Sequence, residues 1–135
     1  MKIRITFSGM TLTELLVVLA ILGILLLLSF PVLKPIFART HAIEAKTNLR
    51  HLAKLEDTYF MQRFSFSDHF QALGYEHAKL VNQEDGTAHY RIEIVKADRE
   101  NYLARATAIT DFDGDGAFNT WEIDKSGIPR ELVPD

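Results

Sequence analysis

The sequence predicts an α+β chain: a long N-terminal helix, membrane-spanning in its first half and amphipathic in its second, packed against a small antiparallel β-meander. Three observations predict it. Nineteen uncharged, mostly apolar residues lie between Glu14 and Lys34. From Ala42 to Tyr59 apolar residues recur at gaps of three or four, as one helical face requires. Downstream, short runs alternate apolar and polar residues, the pattern of half-buried strands.

The apolar run comes first. At a rise of about 1.5 Å per residue it spans roughly 28 Å, close to the hydrocarbon thickness of a bilayer. A cleaved secretory signal has a shorter apolar region and a small-residue cleavage site. Ser29-Phe30-Pro31-Val32 offers no such site, so the segment is expected to remain as an anchor. Lys2 and Arg4 precede it, and the positive-inside rule puts the N-terminus in the cytoplasm and the rest of the chain outside.

Beyond Lys34 the helical pattern continues. Ala42, Ala45, Leu49, Leu52, Leu55 and Tyr59 form one face, and Arg39, Glu44, Lys46, Arg50, Lys54 and Asp57 fill most of the other. One helix is therefore expected from near Thr11 to about Gln62. Pro31 and Pro35 each lack the amide proton that would bond the carbonyl four residues back, which weakens the helix there and favours a kink or local melting. Ser65–Gly74 reads as a loop, a Ser67 cap, a short helical turn and a terminating Gly. His89–Ala97 (HYRIEIVKA), Tyr102–Thr110 (YLARATAIT) and Asn119–Asp124 (NTWEID) read as three strands. Tyr59, Phe60, Phe64, Phe66 and Phe70 are expected in the core between helix and sheet.

Composition narrows the function classes. A formal charge of −3 and no basic cluster give no basis for nucleic-acid binding, and the absence of Cys excludes a disulfide framework. No G-x-S-x-G, P-loop or H-E-x-x-H occurs and no catalytic residue is assigned, so a non-enzymatic role is expected. The five histidines are scattered; His41 and His51 read as solvated or lateral-contact residues rather than ligands.

Asp111-Phe112-Asp113-Gly114-Asp115-Gly116-Ala117-Phe118-Asn119-Thr120-Trp121-Glu122 matches the calcium-loop template D-x-[DN]-x-[DN]-G-x₅-E. Asp111, Asp113 and Asp115 at alternate positions can converge on one hard cation. Gly116 permits the turn, Ala117 would offer its carbonyl, Asn119 sits at the water-bridging position, and Glu122 could close the shell with both oxygens. Ca2+ is the expected cofactor. The flanking strands are not those of an EF-hand, and Asp-Gly-Asp-Gly is also turn chemistry with no metal at all.

Gly9-Met10-Thr11-Leu12-Thr13-Glu14-Leu15-Leu16 after a short basic leader resembles the class III signal of type IV pilins and their pseudopilin relatives. The resemblance covers the first half of the chain closely and Glu56–Tyr75 more loosely. It departs at Met10, where Phe is usual, and at Thr13, where an aliphatic is. The resemblance implies the pilin fold and the following organisation. Residues 1–9 are a leader cut after Gly9 by a prepilin peptidase that also N-methylates Met10. Residues 10–34 are the transmembrane and assembly helix, and residues 35–135 the globular domain, with the candidate calcium loop at 111–122. Glu14 of one subunit would meet the Met10 amine of its neighbour, setting axial register between otherwise interchangeable apolar helices. Pro31 falls where the family often carries a helix breaker, and in a filament the helix is expected to unwind between Gly23 and Pro35.

The function implied is that of a structural subunit of a type IV pilus or pilus-like filament. A type II secretion pseudopilin or a minor pilin is the near alternative, and a monomeric membrane-tethered calcium-binding domain the remote one. The implied partners are other copies of the chain, other pilins, membrane lipid and an inner-membrane assembly platform. The implied location is the bacterial inner membrane, then a periplasmic or surface filament.

Overall fold

The computed structural model describes residues 9–134; for positions 30–35, 37 and 38 it describes the backbone alone. Lys2 and Arg4 of the basic leader lie outside the described residues. The chain divides into two compact units, residues 1–33 and 34–135.

The first unit holds the start of helix α1 (Leu12–Arg63), whose 52 residues include Pro31 and Pro35. Its candidate membrane span, Leu12–Ser29, has no buried residue. Thirteen large apolar side chains between Leu12 and Leu28 are exposed, from Val18 at 40% to Leu12 at 75%. Fully burying one such side chain is worth about 1.5–3 kcal/mol, so lipid or partner helices would contribute tens of kcal/mol here.

The second unit contains the rest of α1, a single helical turn α2 (Phe70–Leu73) and four strands: β1 (Tyr90–Ala97), β2 (Tyr102–Ala108), β3 (Thr120–Asp124) and β4 (Arg130–Val133). They form one antiparallel sheet in the order β1-β2-β3-β4. The register places Tyr90, Ile92 and Ile94 opposite Ala108, Ala106 and Ala104, with Ala106 and Ala104 opposite Trp121 and Ile123. Three of the four inward side chains of β2 are thus alanines, and α1 supplies Ala42, Ala45 and Ala53 to the same core. Small side chains let backbones approach, and Tyr90, Tyr102, Leu49, Leu52 and Ile123 are the large fully buried apolar side chains of this core.

Three sequence expectations are corrected. The meander has a fourth strand, β4, which is exposed throughout and so lacks the alternating pattern that betrays a half-buried strand. Ser67 does not cap α2. His69 is the N-cap and has no side-chain cap bond, while the Ser67 hydroxyl oxygen accepts the His69 N–H at 3.2 Å. Phe64 is not a core residue: it is 76% exposed and terminates α1 with a φ of 56°. Gly74 does end α2, in the left-handed conformation at φ 67°.

The periodicity that buries Leu49 and Leu52 also buries Glu56. Its Oε2 accepts the Ser67 N–H at 3.0 Å, while its buried Oε1 has no hydrogen-bond partner among the described residues. Burial pushes this carboxyl up to about 7, against a partial opposing effect of the Ser67 amide. Because the folded chain holds the proton more tightly, Glu56 favours the fold fully below about pH 4.5. That contribution falls as pH rises towards 7, to a total of roughly 3 kcal/mol at most. Glu56→Gln keeps an acceptor for Ser67 and removes the ionisation, so it should stabilise the domain at pH 8 and flatten the stability profile between pH 5 and 7. Chemical denaturation of both chains across that range checks this; parallel profiles would contradict it.

Candidate functional site

Two places carry the candidate residues: the start of α1 and the loop between β2 and β3. At the first, Gly9 and Met10 are exposed and non-helical, and Thr11 directly precedes Leu12, the first residue of α1. The Thr11 Oγ1 accepts the Glu14 N–H at 3.2 Å, and the Thr11 N–H donates to Glu14 Oε2 at 2.8 Å. The Thr11 hydroxyl also donates to that oxygen, at 2.9 Å. This is a capping box, satisfying amides that a helix start otherwise leaves orphaned. The charge at the head of the apolar run therefore has a partner within its own chain as well as the intersubunit role the resemblance implies. The signal was present in the sequence as T-x-x-E before an apolar run. Both Thr11 bonds go to Oε2, and a carboxylate has a second oxygen for an outside cation.

A Cβ built at Gly9 meets nothing within 4 Å. The fold of the described residues gives no steric reason for glycine there. The side chain of Pro31 is not described, although its backbone lies in α1.

In the acidic loop, one carboxylate oxygen from each of Asp111, Asp113 and Asp115 lies within 4.8 Å of the other two. The loop amides hold them in place. Gly114 and Gly116 donate to Asp111 Oδ1 and Oδ2 at 2.6 and 2.8 Å, Asp115 to Asp113 Oδ1 at 3.0 Å, and Ala117 to Asp115 Oδ1 at 2.7 Å. Gly114 and Gly116 have φ of 82° and 90°, a conformation that favours glycine. The Gly116 and Gly114 amides hold the Asp111 carboxyl below the usual carboxylate range.

Asn119 and Glu122 are engaged elsewhere. Asn119 is buried, its Oδ1 accepting from the Tyr90 hydroxyl at 2.7 Å and the Trp121 indole at 2.6 Å. Its amide nitrogen donates to Glu131 Oε1 and the Val133 carbonyl, both at 2.9 Å, which ties β4 to the core. Glu122 stands opposite Arg105 in the β2–β3 register and accepts from its guanidinium at 2.9 and 2.5 Å. The template's three aspartates come together, then, while its distal half serves the sheet.

The family described as the prokaryotic N-terminal methylation motif matches residues 6–30. Over 67 residues the chain is 37% identical to the type IV major pilin protein PilA of Myxococcus xanthus (strain DK1622). That match covers 50% of this chain and 30% of the relative, so the chain spans about a third of the curated protein it matches. The matched residues include the apolar start of α1, whose second half shares a core with an antiparallel sheet, as in the pilin fold. Residues 6–30 thus match a prokaryotic N-terminal methylation motif, the class III, prepilin-type signal, and half of the chain is similar to a type IV major pilin.

Proposed function

We propose that the chain is a structural subunit of a type IV pilus or pilus-like filament. The observation that carries this is the largely apolar stretch Leu12–Ser29, which has no buried residue and lies within the match to the methylation motif. Before assembly, lipid covers it, with Lys2 and Arg4 on the cytoplasmic side. A prepilin peptidase and methyltransferase cuts between Gly9 and Met10 and methylates the new amine. An inner-membrane platform then transfers the helix from lipid into a bundle of identical helices, leaving the sheet unit on the outside. Lipid tails are as apolar as Leu, so this transfer has little hydrophobic drive of its own. Specificity falls to polar contacts, and Glu14 against the Met10 amine of a neighbour is the one at hand. Pro31 marks where α1 unwinds on assembly.

Shearing cells and imaging the released fraction tests this reading. Filaments containing the chain should show α1 bundled centrally and interrupted between Gly23 and Pro35. A chain retained entirely in the membrane, with no filaments, would contradict it.

We also propose that Asp111, Asp113 and Asp115 hold Ca2+ weakly. Three carboxylates converging in five residues repel one another, and a divalent ion relieves that repulsion. With Glu122 paired to Arg105, the extracellular-module range of about 10⁻⁴–10⁻³ M is expected. Calcium at ten times its dissociation constant should raise the melting temperature of the detergent-solubilised chain by about 5–10 °C. Magnesium should do much less, and Asp113→Ala should abolish the effect. A melting curve unmoved by chelator and by millimolar calcium would make the loop a turn only.

A further inference from the structure

The acidic loop is not the only place where potential ligands meet. His41 and Glu44, three residues apart on α1, meet His89, which directly precedes β1. One ligand atom from each lies within 4.8 Å of the other two, and all three residues are half-buried. From this geometry we propose that His41, Glu44 and His89 form a zinc(II) site tying the amphipathic half of α1 to the sheet.

The donor set suits the ion. Two imidazoles and a carboxylate are borderline donors of the kind zinc takes, and three protein ligands leave a fourth position for water or a group from another molecule. Zinc ligand distances of about 2.0–2.1 Å imply donor separations of about 3.3 Å in a tetrahedron. The three donors therefore need to close by no more than about 1.5 Å, within the reach of side-chain rotation.

The surroundings hold the donors in place. Glu44 Oε1 accepts the His89 and Tyr90 N–H groups at 2.9 and 3.3 Å, which fixes the carboxylate and leaves its other oxygen for the ion. Phe112 stacks on the His41 ring at 4.3 Å between centroids with a 9° interplanar angle, and the two imidazoles lie 4.2 Å apart. Such supporting contacts orient ligands and raise metal affinity. A second observation points the same way. The Nδ1 of His89 is buried and has no hydrogen-bond partner among the described residues, a condition that a coordinated ion removes. Glu93, the single carboxylate of β1, lies further along the strand, and Phe112, which sits between Asp111 and Asp113 in sequence, links the cluster to the acidic loop.

The test uses the full chain, solubilised in detergent and stripped of metal, with zinc chloride as the only added metal. Dialysis against micromolar zinc followed by elemental analysis should find one zinc per chain, and cobalt(II) in its place should give the visible bands of a low-coordinate N/O site. His41→Gln and His89→Gln should each weaken zinc binding by about tenfold or more, while Asp113→Asn keeps it. Circular-dichroism melts without metal identify which histidine variant is folded, and that variant is the one compared. Absence of bound zinc in the parent chain, unchanged binding in the folded histidine variant, or loss of binding in Asp113→Asn alone would each overturn the proposal.

Discussion

A chain carrying Glu14→Val is expected to enter the membrane and lose its leader, yet fail to form filaments. The uncharged run Leu15–Leu33 is untouched by the change, so insertion proceeds, and the peptide bond between Gly9 and Met10 lies four residues away. What is lost is the charged group that distinguishes one axial register from the next among helices that are otherwise uniformly apolar. Charge-assisted hydrogen bonds are about twice as strong as neutral ones, and a buried cation deprived of its partner is unfavourable. Losing this contact at every subunit should raise the subunit level needed for assembly by about tenfold or more.

The capping box complicates the Val variant, because it also removes the bonds that Thr11 makes to Glu14 Oε2. Glu14→Gln separates the two roles: its amide oxygen can still accept the Thr11 N–H, but the charge is gone. Filament loss in both variants assigns assembly to the charge. Normal filaments from Glu14→Gln would make Glu14 a helix cap alone. Quantifying sheared filaments against membrane-bound chain, with leader removal followed by mass, reads both outcomes.

Gly9→Val should stop processing altogether. A Cβ at Gly9 meets nothing within 4 Å among the described residues, so the variant is expected to fold and insert as before. The added bulk stands beside the scissile bond, where misplacement by about 1 Å is enough to slow a reaction by about 100-fold. Full-length chain should accumulate in the membrane, and no filaments should appear, because the Met10 amine of the proposed contact with Glu14 is never exposed. Wild-type levels of the shortened chain in this variant would show that recognition does not pass through Gly9.

The long helix was legible because its signals are local. The uncharged run from Leu15 to Leu33 and the i, i+3, i+4 face from Ala42 to Tyr59 placed its ends within a residue of those observed, Leu12 and Arg63. Strands β1 to β3 were legible for the same reason: Tyr90 and Ile92, then Tyr102, Ala104, Ala106 and Ala108, then Trp121 and Ile123 are buried at alternate positions. The exposed strand β4 was not, since its pairing with β3 is a matter of backbone hydrogen bonds that leave no apolar pattern. At the acidic loop, the spacing of Asp111, Asp113 and Asp115 indicated convergence. No local signal showed that Asn119 would be taken by Tyr90 and Val133, or Glu122 by Arg105, because those partners come from other strands. His41 and His89 illustrate the same limit: 48 positions apart, they meet only once α1 is laid beside β1. Glu56 differs from these, because it falls on the apolar periodicity and its burial could have been read from the same spacing that gave Leu49 and Leu52.

The central claim is that this chain is cut after Gly9 and polymerises from its new end. Mass spectrometry of the N-terminal peptide from sheared surface material tests it most directly. The account predicts a chain that begins at Met10 with a methylated amine, in the same fraction as the filaments. Assembled material that still begins at Met1 would contradict it.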